Sequence, residues 1–187
     1  MPKYVKYSGS LALIIAFWAL LLGKCLAMEY LVRLYNAPVN TLFYIWFLSI
    51  GLAAVATGFY FKLHFSRLPY RISKSTIGLS ILAVSSLTIL ALNPYENRIL
   101  AGVIAPLIAI VLAGIYMTLD WKEDISMKWI SFGGWIFGAI YMLFIGALES
   151  LLILSALFIA FSALPAFFIH FRKRREIENA LKALNQN

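Results

Sequence analysis

The sequence predicts an all-α fold, a polytopic transmembrane helical bundle of six spans with both termini in the cytoplasm. Three observations predict it. Charged residues make up only 13% of the chain and hydrophobic residues 63%, whereas a soluble domain carries about 25% charged residues. The 43 residues from Trp129 to Phe171 hold one acid, Glu149, one weak base, His170, and no Lys, Arg or Asp. A straight helix of that length would measure about 64 Å against a hydrocarbon core of ~30 Å, so the run must fold back near its middle, beside Glu149. The third observation is where the basic residues fall, and it follows from the spans.

Lys3 and Lys6 precede the first apolar stretch, and Cys25-Leu26-Ala27 resembles a poor signal-peptide cleavage site. A lipoprotein signal would want a small residue before Cys25, where Lys24 stands. The segment is therefore read as a retained span over 8–28. Asn36 and Pro38 end it, and Asn40 can cap a second span over 41–61. A third span covers 76–92. Asn93-Pro94-Tyr95-Glu96 has the form of a capping box that opens a fourth over 98–119. Asp124 or Ser126 can cap a fifth over 128–147, and a sixth covers 150–171. Each expected span suits a bilayer in length.

Thirteen of the sixteen basic residues then fall on one side. They are Lys3, Lys6, Lys62, Arg67, Arg71, Lys74, Lys122, Lys128, Arg172, Lys173, Arg174, Arg175 and Lys182. Only Lys24, Arg33 and Arg98 fall on the other. The positive-inside rule puts the thirteen, and both termini, in the cytoplasm. Glu149 then lies in a turn at the outer surface. Residues 1–171 form the membrane domain, and 172–187 a short basic amphipathic cytoplasmic tail. In that tail Ile177, Leu181 and Leu184 recur at helical spacing, and Glu178 precedes Lys182 by four residues.

Helices in lipid associate through close packing at small residues. Ala101, Ala105, Ala109 and Ala113 form such a stripe on the fourth span, and Gly134 with Gly138 forms a GxxxG on the fifth. The reading places these two spans face to face at the centre of the bundle. Pro106 and Pro165 are expected to kink their helices.

Chemistry is sparse. Glu29 and Arg33 form an i,i+4 pair assigned to an outward extension beyond the first span. Ser85, Ser86 and Thr88 form the densest polar cluster and, with Glu149, are the candidate ligand-lining residues. His64 and His170 each end a span near the cytoplasmic surface, where a facing pair could ligate haem. Interfacial histidines flanked by Phe and Arg are more ordinarily boundary residues, so no cofactor and no metal site is expected. The acids Asp120, Glu123 and Asp124 read as a solvated loop. Most aromatics belong to interfacial belts, but Trp18, Trp46 and Trp135 lie deeper and require packing or a ligand contact.

No HExxH, GxSxG or P-loop pattern occurs, so no catalytic residue is assigned and enzyme activity is disfavoured. The net charge of +8 is explained by topology and anionic headgroups rather than by nucleic acid. The expected partners are the lipid bilayer and other membrane subunits or further copies of the chain, in the cell membrane. The leading reading is an accessory or structural subunit of a larger membrane complex. A small-solute transporter, channel or substrate-binding component is the alternative, and a haem- or quinone-linked redox subunit stands behind both.

Overall fold

The computed structural model describes residues 3–38, 40–64, 98–118 and 125–185. The expected third span, with Ser85, Ser86 and Thr88, lies outside them, as do Asn93–Glu96 and the acids Asp120, Glu123 and Asp124. The described residues form helices and their connecting turns, without a strand. We number the helices α1 (Lys3–Leu34), α2 (Asn40–His64), α3 (Arg98–Thr118), α4 (Ile125–Met142), α5 (Ala147–Phe158) and α6 (Leu164–Asn185), with a π-helical turn over Ile159–Ala163 between the last two. Three apolar stretches are long enough to cross a membrane: Ala12–Leu34, Asn40–Tyr60 and Ala147–Glu176. Val103–Met117 is a shorter apolar helix.

Helix α1 runs to Leu34, six residues beyond the expected end of its span. Its stop is a Schellman motif. Asn36 adopts the left-handed conformation with φ 51°. The Ala37 amide donates to the Val32 carbonyl at 2.9 Å and the Asn36 amide to the Arg33 carbonyl at 3.3 Å. Asn tolerates this conformation better than other non-glycine residues, so the terminator is local to the sequence. The extra turn brings Glu29 and Arg33 inside the apolar stretch. They are not on an extension beyond it.

The long run from Trp129 folds back at Leu143–Gly146, slightly before its midpoint. The Leu143 and Phe144 amides donate to the Ile140 and Tyr141 carbonyls, a tight 3₁₀-like finish to α4. Helix α5 then starts at Ala147, with Ser150 returning both its amide and its hydroxyl to the Gly146 carbonyl. Glu149 is thus not in the turn itself. It is exposed in the first turn of α5, where a negative charge complements the helix dipole.

Helix α5, the π turn and α6, the unit that holds the expected sixth span, are the hub of the described fold. Helix α5 and the π turn pack against α1 on one side and α4 on the other, and α5 also meets α3. Helices α3 and α4 are neighbours, with Ala105, Ala109 and Ala113 fully buried. The glycines of α4 look elsewhere than expected. A Cβ on Gly138 would strike the Leu157 side chain, and one on Gly134 the Phe161 ring. The GxxxG face therefore closes on the sixth-span unit, while α3 and α4 are in extensive contact with each other, as expected. On the other flank, the Gly23 backbone approaches the same unit, and a Cβ there would lie 3.2 Å from the Ser155 carbonyl oxygen.

Among the described helices α2 packs on α1. Only 17% of its apolar stretch is buried, against 39% for that of α1 and 50% for that of the sixth-span unit.

Candidate functional site

Two polar regions interrupt the apolar helices. The first is a seam between α1 and α2. At one end of it the Trp18 indole Nε1 donates to Thr57 Oγ1 at 2.9 Å. Farther along, Cys25 and Ser49 share a hydrogen bond. Beyond that, the Trp46 indole Nε1 donates to Glu29 Oε2 at 2.9 Å, while Arg33 Nη2 pairs with Glu29 Oε1. From the first pair to the second, α1 advances seven residues while α2 retreats eight. From the second to the third it advances four while α2 retreats three. The pairs thus keep one antiparallel register along the contact, roughly one per one or two turns.

Glu29 is the centre of this seam. It is a carboxylate at 0% exposure inside the apolar stretch of α1. An ionised group there is costly unless paired and hydrogen-bonded. Both of its oxygens are engaged, one by a guanidinium and one by an indole. The Arg33 side chain is 9% exposed and lies one residue from the end of the stretch. The arrangement binds α1 to α2 through a neutralised charge pair, and it answers the question raised by two of the deep tryptophans: Trp18 and Trp46 are interhelical donors.

The second region surrounds the π turn. Pro165 has no N–H, and its ring excludes the carbonyl four residues earlier. The preceding turn widens, with the Leu164 amide donating to the Ile159 carbonyl five residues back. This π turn lies just before Pro165, where the sequence predicts a distortion. Ser162, in the widened turn, shares a hydrogen bond with the buried Tyr116 of α3. Trp135 of α4 packs edge-on against Phe158, with ring centroids 5.1 Å apart and planes at 81°. Trp135 and Ser131 are each 0% exposed, and Ser131 Oγ and Trp135 Nε1 have no hydrogen-bond partner among the described residues.

The remaining expected site residues are placed apart from these regions. Glu149 is at the turn end of α5, its carboxylate folded back so that a Cβ on Gly146 would collide with it. His170 is half-buried on α6 and edge-on to Phe171 at 5.6 Å. His64 closes α2, and its side chain lies outside the description. Among the described residues, no group of three or more His, Cys, Asp or Glu could hold a metal ion. The sequence reading singled out Glu29 and Arg33 only as an external pair, and it missed that Trp46 completes them.

No family model, curated protein or solved structure matches the chain.

Proposed function

We propose that the chain is a six-span, N-in/C-in protein of the cell membrane that serves as a non-catalytic accessory subunit of a larger membrane complex. One observation carries this reading, the arm at the end of α6. The helix continues without interruption from the apolar Leu164–Phe171 through Arg172 to Asn185. The fourteen residues from Arg172 would extend ~21 Å. An unbroken helix cannot bend over to lie in the membrane plane, so the arm projects from the bilayer. Two of its five basic residues are paired along its own surface, Arg172–Glu176 at 3.1 Å and Arg174–Glu178 at 2.9 Å, and the arm stays basic overall. Such exposed pairs contribute little stability. Ile177, Leu181 and Leu184 occupy one stripe by sequence position, and a stripe of this kind suits a helix laid against a protein partner. The engagement of both Glu29 oxygens by residues of this chain agrees with a structural role.

The test is purification from the native membrane in mild detergent, with the intact chain and with a chain ending at Arg175. Stoichiometric partners retained by the intact chain and lost by the shortened one support the reading. A chain that purifies alone, or partners that survive the truncation, refutes it.

A second reading, a small-solute transporter, channel or substrate-binding component, draws on the polar side chains gathered at the π turn. π-Helical turns are frequent at functional sites. Solute flux into proteoliposomes reconstituted with the purified chain tests it.

A further inference from the structure

We infer that Ser131 and Trp135 of α4 hold a water molecule inside the bundle, bridged between the serine hydroxyl and the indole N–H at the level of the π turn. The two residues are four apart on one helix, so they share a face and their Cβ atoms are separated by ~6 Å. Both are fully buried, and Ser131 Oγ and Trp135 Nε1 lack a hydrogen-bond partner among the described residues. A buried donor without a partner is costly, and native proteins rarely leave two side by side.

The ligand chemistry follows from the groups. An indole N–H only donates, so the bound atom must be an acceptor. A serine hydroxyl donates or accepts, so the same molecule can donate back. Water does both, and it is small enough for a face that Phe158 and Phe161 cover closely. A buried water needs two to four polar partners. Further ones are near by register. Gly138 meets Leu157 and Gly134 meets Phe161, so the antiparallel contact sets Ser131 level with the end of the π turn, where Ser162 and Tyr116 are hydrogen-bonded to each other. The inference depends on neither functional reading, because a structural water serves a subunit as well as a transporter.

The experiment uses the full chain in nanodiscs, with indole nitrogens labelled. The Trp135 indole resonance is assigned by its loss in Trp135→Phe, and its cross-relaxation with water is recorded. A direct cross-peak from this 0%-exposed indole to water is the expected result, and its absence overturns the proposal. A double-mutant cycle supplies a second readout. Ser131→Ala and Trp135→Phe should each lower the thermal midpoint by a few degrees. The double variant should fall by less than the two combined, because each change removes the same bridge. A Ser131→Ala midpoint equal to or above that of the wild type would mean that the hydroxyl is an orphan and that no water is held. If Ser131→Ala fails to fold, the wild-type water cross-peak decides alone.

Discussion

Glu29→Gln is expected to destabilise the fold by about 2–3 kcal/mol, and adding Arg33→Met is expected to restore most of it. Removing one partner of a buried ion pair costs ~3–5 kcal/mol, chiefly because the other charge is left unpaired. The Arg33 side chain is 9% exposed and one residue from the end of the apolar stretch. Its stem can carry the guanidinium toward water, which lowers the cost to the bottom of that range or just below. An amide at position 29 can still accept from the Trp46 indole, so geometry is held while charge is changed. With Arg33→Met added, no unpaired charge remains, and the double variant should lie within about 1 kcal/mol of wild type. Trp46→Phe removes a different element. It deletes one donor and part of a buried ring, for about 1–2 kcal/mol.

Reversible unfolding in mixed micelles, titrated with denaturing detergent and followed by helical circular dichroism, measures all four proteins. Two results would refute the reasoning. A Glu29→Gln variant within ~0.5 kcal/mol of wild type would mean that Arg33 does not depend on a charged partner. A double variant as weak as the single one would mean that the loss comes from packing and not from charge.

Three further expectations concern the turn, the packing and the orientation. Gly138→Leu should lower the monodisperse yield in detergent, because Leu157 occupies the space over Gly138 and overpacking costs ~1–3 kcal/mol. Leu143→Ala, at a side chain 64% exposed, should leave the yield unchanged, and equal losses in the two would contradict the assigned face. Glu149→Gln should shift the unfolding midpoint by less than ~0.5 kcal/mol, since the carboxylate is exposed and contributes only a helix-end interaction; loss of partner binding in a folded Glu149→Gln protein would point to a role at this surface instead. In a Cys25→Ser background, Phe144→Cys should be labelled by an impermeant thiol reagent from outside and Asn179→Cys only from inside, and the reverse pattern would invert the topology.

What the sequence made legible was what chain length and local stereochemistry control. The fold-back of the Trp129–Phe171 run followed from its length alone, and it occurs within a few residues of the expected place. The stop of α1 is signalled by Asn36, yet the helix runs six residues past the expected end of its span, because Glu29 and Arg33 look like a helix end when only their spacing is known. Their burial depends on Trp46, seventeen residues later on another helix, and no local pattern announces it. The GxxxG at Gly134 and Gly138 marked a close approach but not the partner. That partner is fixed by where Leu157 and Phe161 arrive after the chain has turned at Gly146. Pro165 gave notice of a distortion, but not that it would widen the turn and set Ser162 against Tyr116.

The seam between α1 and α2 explains how a helix with so little buried surface keeps its place. In lipid an apolar contact gains little over contact with acyl chains, so α2 must be held by shape or by polar bonds. Its outward residues Phe43, Phe47, Leu52, Val55 and Phe59 are exposed and do not help among the described helices. Three polar pairs in one register do. At ~0.6 kcal/mol for an average interhelical bond and up to ~1.7 for the best, they contribute roughly 2–4 kcal/mol, with the charge-assisted pair at Glu29 the largest. They also fix the register of α2. Sliding α2 by one turn along α1 would move Trp46 away from Glu29 and Thr57 away from Trp18 together, and would leave the carboxylate with one partner fewer. A small-residue groove tolerates such slips more readily than a set of matched donors and acceptors. The polar pairs therefore act as a positional lock on the apolar stretch with the smallest buried share among those described, and the cost of burying a carboxylate at position 29 fits that role.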